Sequence, residues 1–247
     1  VYKRQVIHRR WALLLDSGLI FIRDIAAGSG RHRLEQIWRI GPDFRIQALA
    51  PGVVSFATED GDQLDCVSPQ GPVWAREIFE SDWSPRYGAR QSAPVVQFVA
   101  ETEAPCERAL ALRPGRVGAA RQAALELLED GRGEDLSVYR FDDEGFNLTL
   151  CFHDKAGAWS FGQVKSDARL LAWEHGKTGS RLLAASASFL EIGGERVFQD
   201  AAAIERFEWD ARTGADATAA GAAKTAKTSI LEELGPELTP AHSERHA

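Results

Sequence analysis

The sequence predicts an all-β protein, an antiparallel β-sandwich of the super-sandwich type followed by a disordered C-terminal tail. Short runs of alternating apolar and polar residues recur from residue 6 to residue 209, and Gly, Pro and Asp clusters separate them at hairpin spacing. The 44% apolar content and 247-residue length are those of one globular core, and no uninterrupted apolar run is long enough to span a bilayer. The formal charge of −7 lacks the basic footprint that phosphate neutralisation requires, which argues against nucleic acid as the partner.

The elements follow in order. Residues 6–15 and 19–26 flank Asp16-Ser17-Gly18, a hairpin turn. The next strand, over 31–40, is fed by a Gly28-Ser29-Gly30 turn and places His32, Leu34, Trp38 and Ile40 on one inward face, with Arg31, Arg33, Glu35 and Arg39 on the other. Further strands are expected over 44–49, 53–58, 64–67, 73–79 and 95–100, with turns at 59–62 and 69–72. Residues 119–129 combine helix-favouring composition with a β context and are assigned to a strand. Beyond them come strands over 136–141, 146–152, 159–161, 168–173, 182–192 and 204–209, the hairpins turning at Asp142-Asp143-Glu144-Gly145 and Ile192-Gly193-Gly194-Glu195.

The domain boundaries follow from composition. Residues 1–5, Val1-Tyr2-Lys3-Arg4-Gln5, look like translated sequencing-adapter read-through and are set aside; there is no methionine, so the natural start is expected upstream. Residues 6–210 form the sandwich. Residues 211–247 turn to Ala, Thr, Gly and Lys, too little apolar surface to offset chain entropy, with one expected helical turn at 229–234. Cys66, Cys106 and Cys151 are widely spaced and odd in number, which points to thiols rather than a disulfide framework or a zinc knuckle.

Several blocks carry a resemblance. Val6-Ile7-His8-Arg9-Arg10, Phe21-Ile22-Arg23-Asp24 and Gly28-x-Gly30-x-His32, with Trp38 eight residues after Gly30, resemble the β-domain of heparinase II/III-like polysaccharide lyases. Trp83-Ser84-Pro85-Arg86-Tyr87-Gly88 resembles that family's WSxxYG-type loop, and Trp159-Ser160-Phe161-Gly162 followed by Ser166-Asp167-Ala168 resembles its terminal sheet. The likeness runs over roughly residues 6–209, in the family's order.

The resemblance implies the C-terminal sandwich of a lyase whose N-terminal α/α toroid lies outside this chain. The whole enzyme would cleave an acidic, uronate-containing polysaccharide such as a glycosaminoglycan or alginate by β-elimination. A base takes the C5 proton, the 4-linked oxygen leaves, and positioned donors hold the developing charge. Catalytic groups are expected upstream, so no residue of this chain is assigned a catalytic role and the fragment alone is expected to be inactive. The implied compartment is periplasmic or extracellular, and the implied cofactor is a divalent metal such as zinc. His32 is the ligand carried over, and the remaining ligands would lie upstream, since a structural zinc site wants about four protein ligands.

Each candidate has a plainer reading beside it. His32 is either that ligand or a core histidine donating to a backbone carbonyl. Arg9 and Arg10 lie on opposite faces of one strand, so at most one contacts a uronate or sulfate, and a solvated strand face explains either. Trp83 and Tyr87 stack on sugar rings or pack beneath their loop. Trp11, Trp38, Trp159, Trp173 and Trp209 read as core, Asp167 as a turn-capping carboxylate, and His153-Asp154 as a weak metal pair at best. No Gly-x-Ser-x-Gly elbow and no phosphate-binding glycine loop occurs, which leaves hydrolase and nucleotide chemistry without support. The reading from a different class is a non-catalytic carbohydrate-binding or structural β-sandwich module.

Overall fold

Strand alternation and turn chemistry are realised throughout the computed structural model, which describes residues 5–71, 73–118, 122–132, 135–177 and 179–210, and the backbone of 215–219. Its described residues form strands and no helix, and each strand pairing given residue by residue is antiparallel. The all-β antiparallel class predicted by the periodicity therefore holds. The chain divides into two units, residues 1–126 and 127–247.

The first unit is one sheet. Its strands are β1 (Ile7–Leu14), β2 (Ile20–Arg39), β3 (Arg45–Ala50), β4 (Val53–Ala57), β5 (Asp62–Val67), β6 (Ala75–Trp83) and β7 (Gln91–Arg116). They run in the order β1-β2-β7-β5-β4-β3, with β6 also on β7. The Gly28-Ser29-Gly30 segment does not separate two strands, as its composition predicts, but lies inside the single 20-residue β2. The two glycines take φ values of 153° and 87° there, where pairing with β7 slips between Ala26 and Gly30. Both long strands bend at this point. Arg108 lies with its guanidinium 3.7 Å from the Phe98 ring, ten residues back along β7, a span of roughly 33 Å in a straight strand. The sheet thus closes on itself as two facing layers. Val96 and Phe98 from one arm of β7 share a core with Leu110 from the other arm, Val54 and Phe56 of β4, and Cys66 of β5.

β8 (Ala124–Glu129) runs across the division, and the second unit carries β9 (Leu136–Asp143), β10 (Phe146–His153), β11 (Trp159–Phe161), β12 (Val164–Ser166), β13 (Leu170–Gly176), β14 (Gly179–Ile192), β15 (Glu195–Asp210) and β16 (Ala215–Ala219). The order is β11-β12-β14-β13-β10-β9-β8, with β15 on β14 and β16 on β15. This sheet also folds over. Phe198 and Phe207, nine residues apart on β15, stack with centroids 4.4 Å apart, because the register against β14 jumps from Phe189↔Gln199 to Ala187↔Ile204. Trp173, Leu182, Leu190, Phe207 and Trp209 belong to the resulting core.

Boundaries differ from the periodicity in several places, and residues 80–83, 91–94, 164–166 and 195–203, unassigned from sequence, lie in strands. Residues 101–116, unassigned from sequence, complete β7, and 215–219 pair with β15 inside the stretch whose composition predicts disorder. The remainder of that stretch, the expected turn at 229–234 and residues 1–4 lie outside the described residues. Residues 124–129 are a strand, as expected.

Candidate functional site

The Asp16-Ser17-Gly18 hairpin sets the register of β1 on β2 and places Arg10 opposite Asp24 and His8 opposite Ala26. Alternation then puts His8 and Arg10 on the same face as Asp24. On the other side of β2, Asp24 pairs in register with Arg108 of β7. Arg10, Asp24 and Arg108 so form one cross-strand row. The bend in β2 lays a second row over it, in which Gln36 of β2 pairs with Phe98 of β7.

Asp24 is the centre of the contacts between these rows. Its Oδ1 accepts from His8 Nε2 at 2.8 Å and from Arg10 Nε at 2.6 Å. Its Oδ2 accepts from Arg10 Nη2 at 2.7 Å and from Gln36 Nε2 at 2.6 Å. Burial by itself raises the carboxyl's pKa, but the hydrogen bonds from Arg10, Gln36 and His8 outweigh it and hold Asp24 below the usual aspartate value. Four donors fill the four lone-pair positions of a carboxylate. Asp24 therefore has no lone pair left to take a proton from a substrate, and its role is to position its neighbours.

Those neighbours line a pocket of about 270 Å³, just under the usual size of a small-molecule site. Trp74, in the connection between β5 and β6, forms part of its wall, and the Arg108 guanidinium lies 5.2 Å from the Trp74 ring as well as over Phe98. The Arg10 guanidinium lies 5.1 Å from the Trp38 ring, so Trp38 does more than fill the core. Gln36 is only 6% exposed, and its Oε1 has no hydrogen-bond partner among the described residues. The amide orientation is set by the acceptor opposite it, since Nε2 must face Asp24. Glu107, also in the wall, bonds the fully buried Arg23, and Glu35 at the rim bonds Arg33.

Of the candidate ligand-contact residues Arg9, Arg10, Trp83 and Tyr87, Arg10 alone stands in this pocket. Arg9 is on the opposite face of β1, half-buried, in register with Ile25. Trp83 closes the far end of β6, about 26 Å along the strand from Ala75, the residue after Trp74. Tyr87 is fully exposed on the loop that follows, where the Ser84 hydroxyl donates to the carbonyls of Arg86 and Ala89. The structure does not bring either aromatic to Arg10.

His32 Nε2 donates to the Ser29 carbonyl at 3.0 Å and so ties off the bend of β2. Among the described residues no three His, Cys, Asp or Glu side chains are grouped to hold a metal ion. The hydrogen bond to Ser29 is the one the backbone-donating reading describes, and a metal at His32 would need the further ligands expected outside this chain. Cys66 and Cys151 are buried and Cys106 is partly exposed, lining the pocket; none is in a disulfide.

Sequence reasoning quoted Asp24 within a family-like block without giving it a site role, and it passed over Gln36, Trp74 and Arg108. The hairpin register was a usable signal for Asp24, whereas Gln36 and Trp74 reach the pocket only through the bend.

The fold and site define an all-β antiparallel protein with a small pocket of arginine, tryptophan and amide character. No protein-family model matches the chain, and no curated protein is significantly similar to it. Among the described residues no helix is long and apolar enough to cross a membrane.

Proposed function

We propose that this chain is a non-catalytic binding module whose pocket holds one unit of an acidic saccharide. The observation that carries this reading is the saturated Asp24, which organises Arg10, His8 and Gln36 around a pocket while having no capacity left for acid–base chemistry. What remains for the ligand is recognition. The wall offers the Trp74 ring for contact with a sugar face and guanidinium groups for a carboxylate.

The resemblance to heparinase II/III-like motifs supports the same ligand class and a working context beside a polysaccharide lyase, with the elimination performed by groups outside this chain. The test is titration of the chain with glucuronate and with short uronate oligosaccharides, followed by tryptophan fluorescence and calorimetry. Saturable binding that falls at least tenfold in Arg10→Ala and in Trp74→Ala supports the module. Absence of binding to every saccharide, or binding indifferent to both substitutions, overturns it.

A further inference from the structure

We infer that the pocket selects a sugar carrying an N-acylated amino group, whose amide N–H donates to Gln36 Oε1. The inference rests on the saccharide reading above and adds the substituent that is recognised. Gln36 Oε1 is a buried acceptor with no partner among the described residues, and Nε2 is already committed to Asp24 at 2.6 Å. An orphaned buried acceptor is unfavourable, and whatever donor reaches it recovers that deficit. A carboxylate does not, because it has no hydrogen to give. An ammonium has hydrogens, but Asp24, Glu35 and Glu107, the carboxylates of the pocket wall, are each already bonded to an arginine, so the cost of desolvating a cation there is not offset.

A hydroxyl and an amide N–H both donate, and the surroundings separate them. Gln36 has Leu34 and Trp38 as its same-face neighbours on β2 and Phe98 as its partner on β7, and Ile25, Ala26 and Ile37 also line the pocket. A hydroxyl leaves this apolar surface without a counterpart. An acetamido group sets a methyl close to its N–H, so donor and apolar surface are matched together. Gln36 Oε1 is covered, so the donor reaches it through a small side-chain adjustment of the kind common on binding.

The experiment varies the ligand rather than the fold. The chain is titrated with the methyl glycosides of glucose, glucosamine, N-acetylglucosamine, its N-methyl-N-acetyl derivative and glucuronic acid, and dissociation constants are read by calorimetry and by protection of Cys106 from alkylation. The expected order places the N-acetyl sugar at least about tenfold tighter than glucose, with glucosamine weakest. N-methylation, which removes the donor and keeps the acetyl group, abolishes the advantage. Gln36→Met brings the N-acetyl sugar and glucose within threefold of one another, with far-ultraviolet circular dichroism reporting that the fold is kept. Equal binding of glucose, N-acetylglucosamine and its N-methyl derivative overturns the inference and leaves the saccharide reading standing. No binding by any of the five overturns both.

Discussion

Gln36 donates its side-chain amide to Asp24 at 2.6 Å, although the two residues are twelve positions apart on the same strand. A straight strand would hold them roughly 40 Å apart. The bond therefore measures how completely β2 folds over at Gly28-Ser29-Gly30, and it joins the two layers of the first sheet at the wall of the pocket. Two further contacts serve the same bend: His32 holds the Ser29 carbonyl, and Arg108 covers Phe98 across β7. Folding of the strand and assembly of the site are thus one event.

Gly30 is the residue on which that event depends most directly, since its φ of 87° is one that side-chain-bearing residues rarely adopt. Gly30→Ala is expected to cost about 1–2 kcal/mol in urea unfolding and to weaken saccharide binding by separating Gln36 from Asp24. Gly61→Ala is the control. Gly61 has a similar φ of 83° with open space around it, so it should lose comparable stability and keep the affinity of the parent chain. Equal affinity in both variants would show that the bend does not organise the pocket.

Asp24 makes the stability of this layer depend on pH. Its pKa is lowered on folding, so its contribution is complete above the unfolded aspartate value of about 3.9 and disappears as pH falls through the lower folded value. Asp24→Asn should destabilise the protein by about 2 kcal/mol at pH 7, the scale of hydrogen bonds to a charged group. Denaturant curves of the two proteins should stay separated down to about pH 5 and converge below about pH 4. A separation that persists unchanged at pH 2.5 would exclude the carboxylate's charge as the cause.

How much of this was visible beforehand depended on the range of the interaction. Strand arms were legible because alternation is local, whereas Asp167, read as a turn-capping carboxylate, accepts from the Ser188 and Phe189 amides of β14 at 2.8 and 3.1 Å, a partnership that only tertiary structure sets. The bend was not legible. A glycine pair supplies positive φ equally to a turn between two strands and to a corner within one. Residues 101–116 were missed because Glu101-Thr102-Glu103-Ala104-Pro105 interrupts the apolar rhythm, and only pairing with β2 makes that stretch a strand. Trp74 lies outside every strand, where periodicity carries no information. Much of the pocket is consequently made of residues whose neighbours are set by tertiary structure, with His8, Arg10 and Asp24 the exceptions because a hairpin places them.

The Arg23–Glu107 ion pair, with side chains 0% and 1% exposed, is the strongest electrostatic commitment in the first unit. Arg23 Nε donates to Glu107 Oε2 at 2.8 Å. Removing one partner strands a buried charge, so Arg23→Ala or Glu107→Ala alone should cost about 3–5 kcal/mol. Replacing both with apolar residues of similar size, Arg23→Met with Glu107→Leu, should recover most of that loss. Chemical denaturation of the two single variants and the double variant measures the coupling. A double variant as unstable as the sum of the singles would mean that each residue acts through other contacts.

Thiol chemistry offers a check on the whole arrangement. Burial pushes the Cys66 thiol up to about 12, with nearby Asp65 adding to the effect, and burial alone pushes Cys151 up to about 12. At pH 8 neither forms appreciable thiolate in the folded protein, and neither is accessible. Cys106 lies partly exposed in the pocket wall. Iodoacetamide at pH 8 should therefore modify Cys106 alone in the native chain, and all three thiols in strong denaturant, as read by mass spectrometry of the intact protein and its peptides. A saturating ligand in the pocket should slow the native reaction, because the reagent and the ligand compete for the same space. Rapid modification of Cys66 or Cys151 without denaturant would contradict the cores in which the two residues are placed, and ligand binding that leaves the Cys106 rate unchanged would put the ligand elsewhere on the protein.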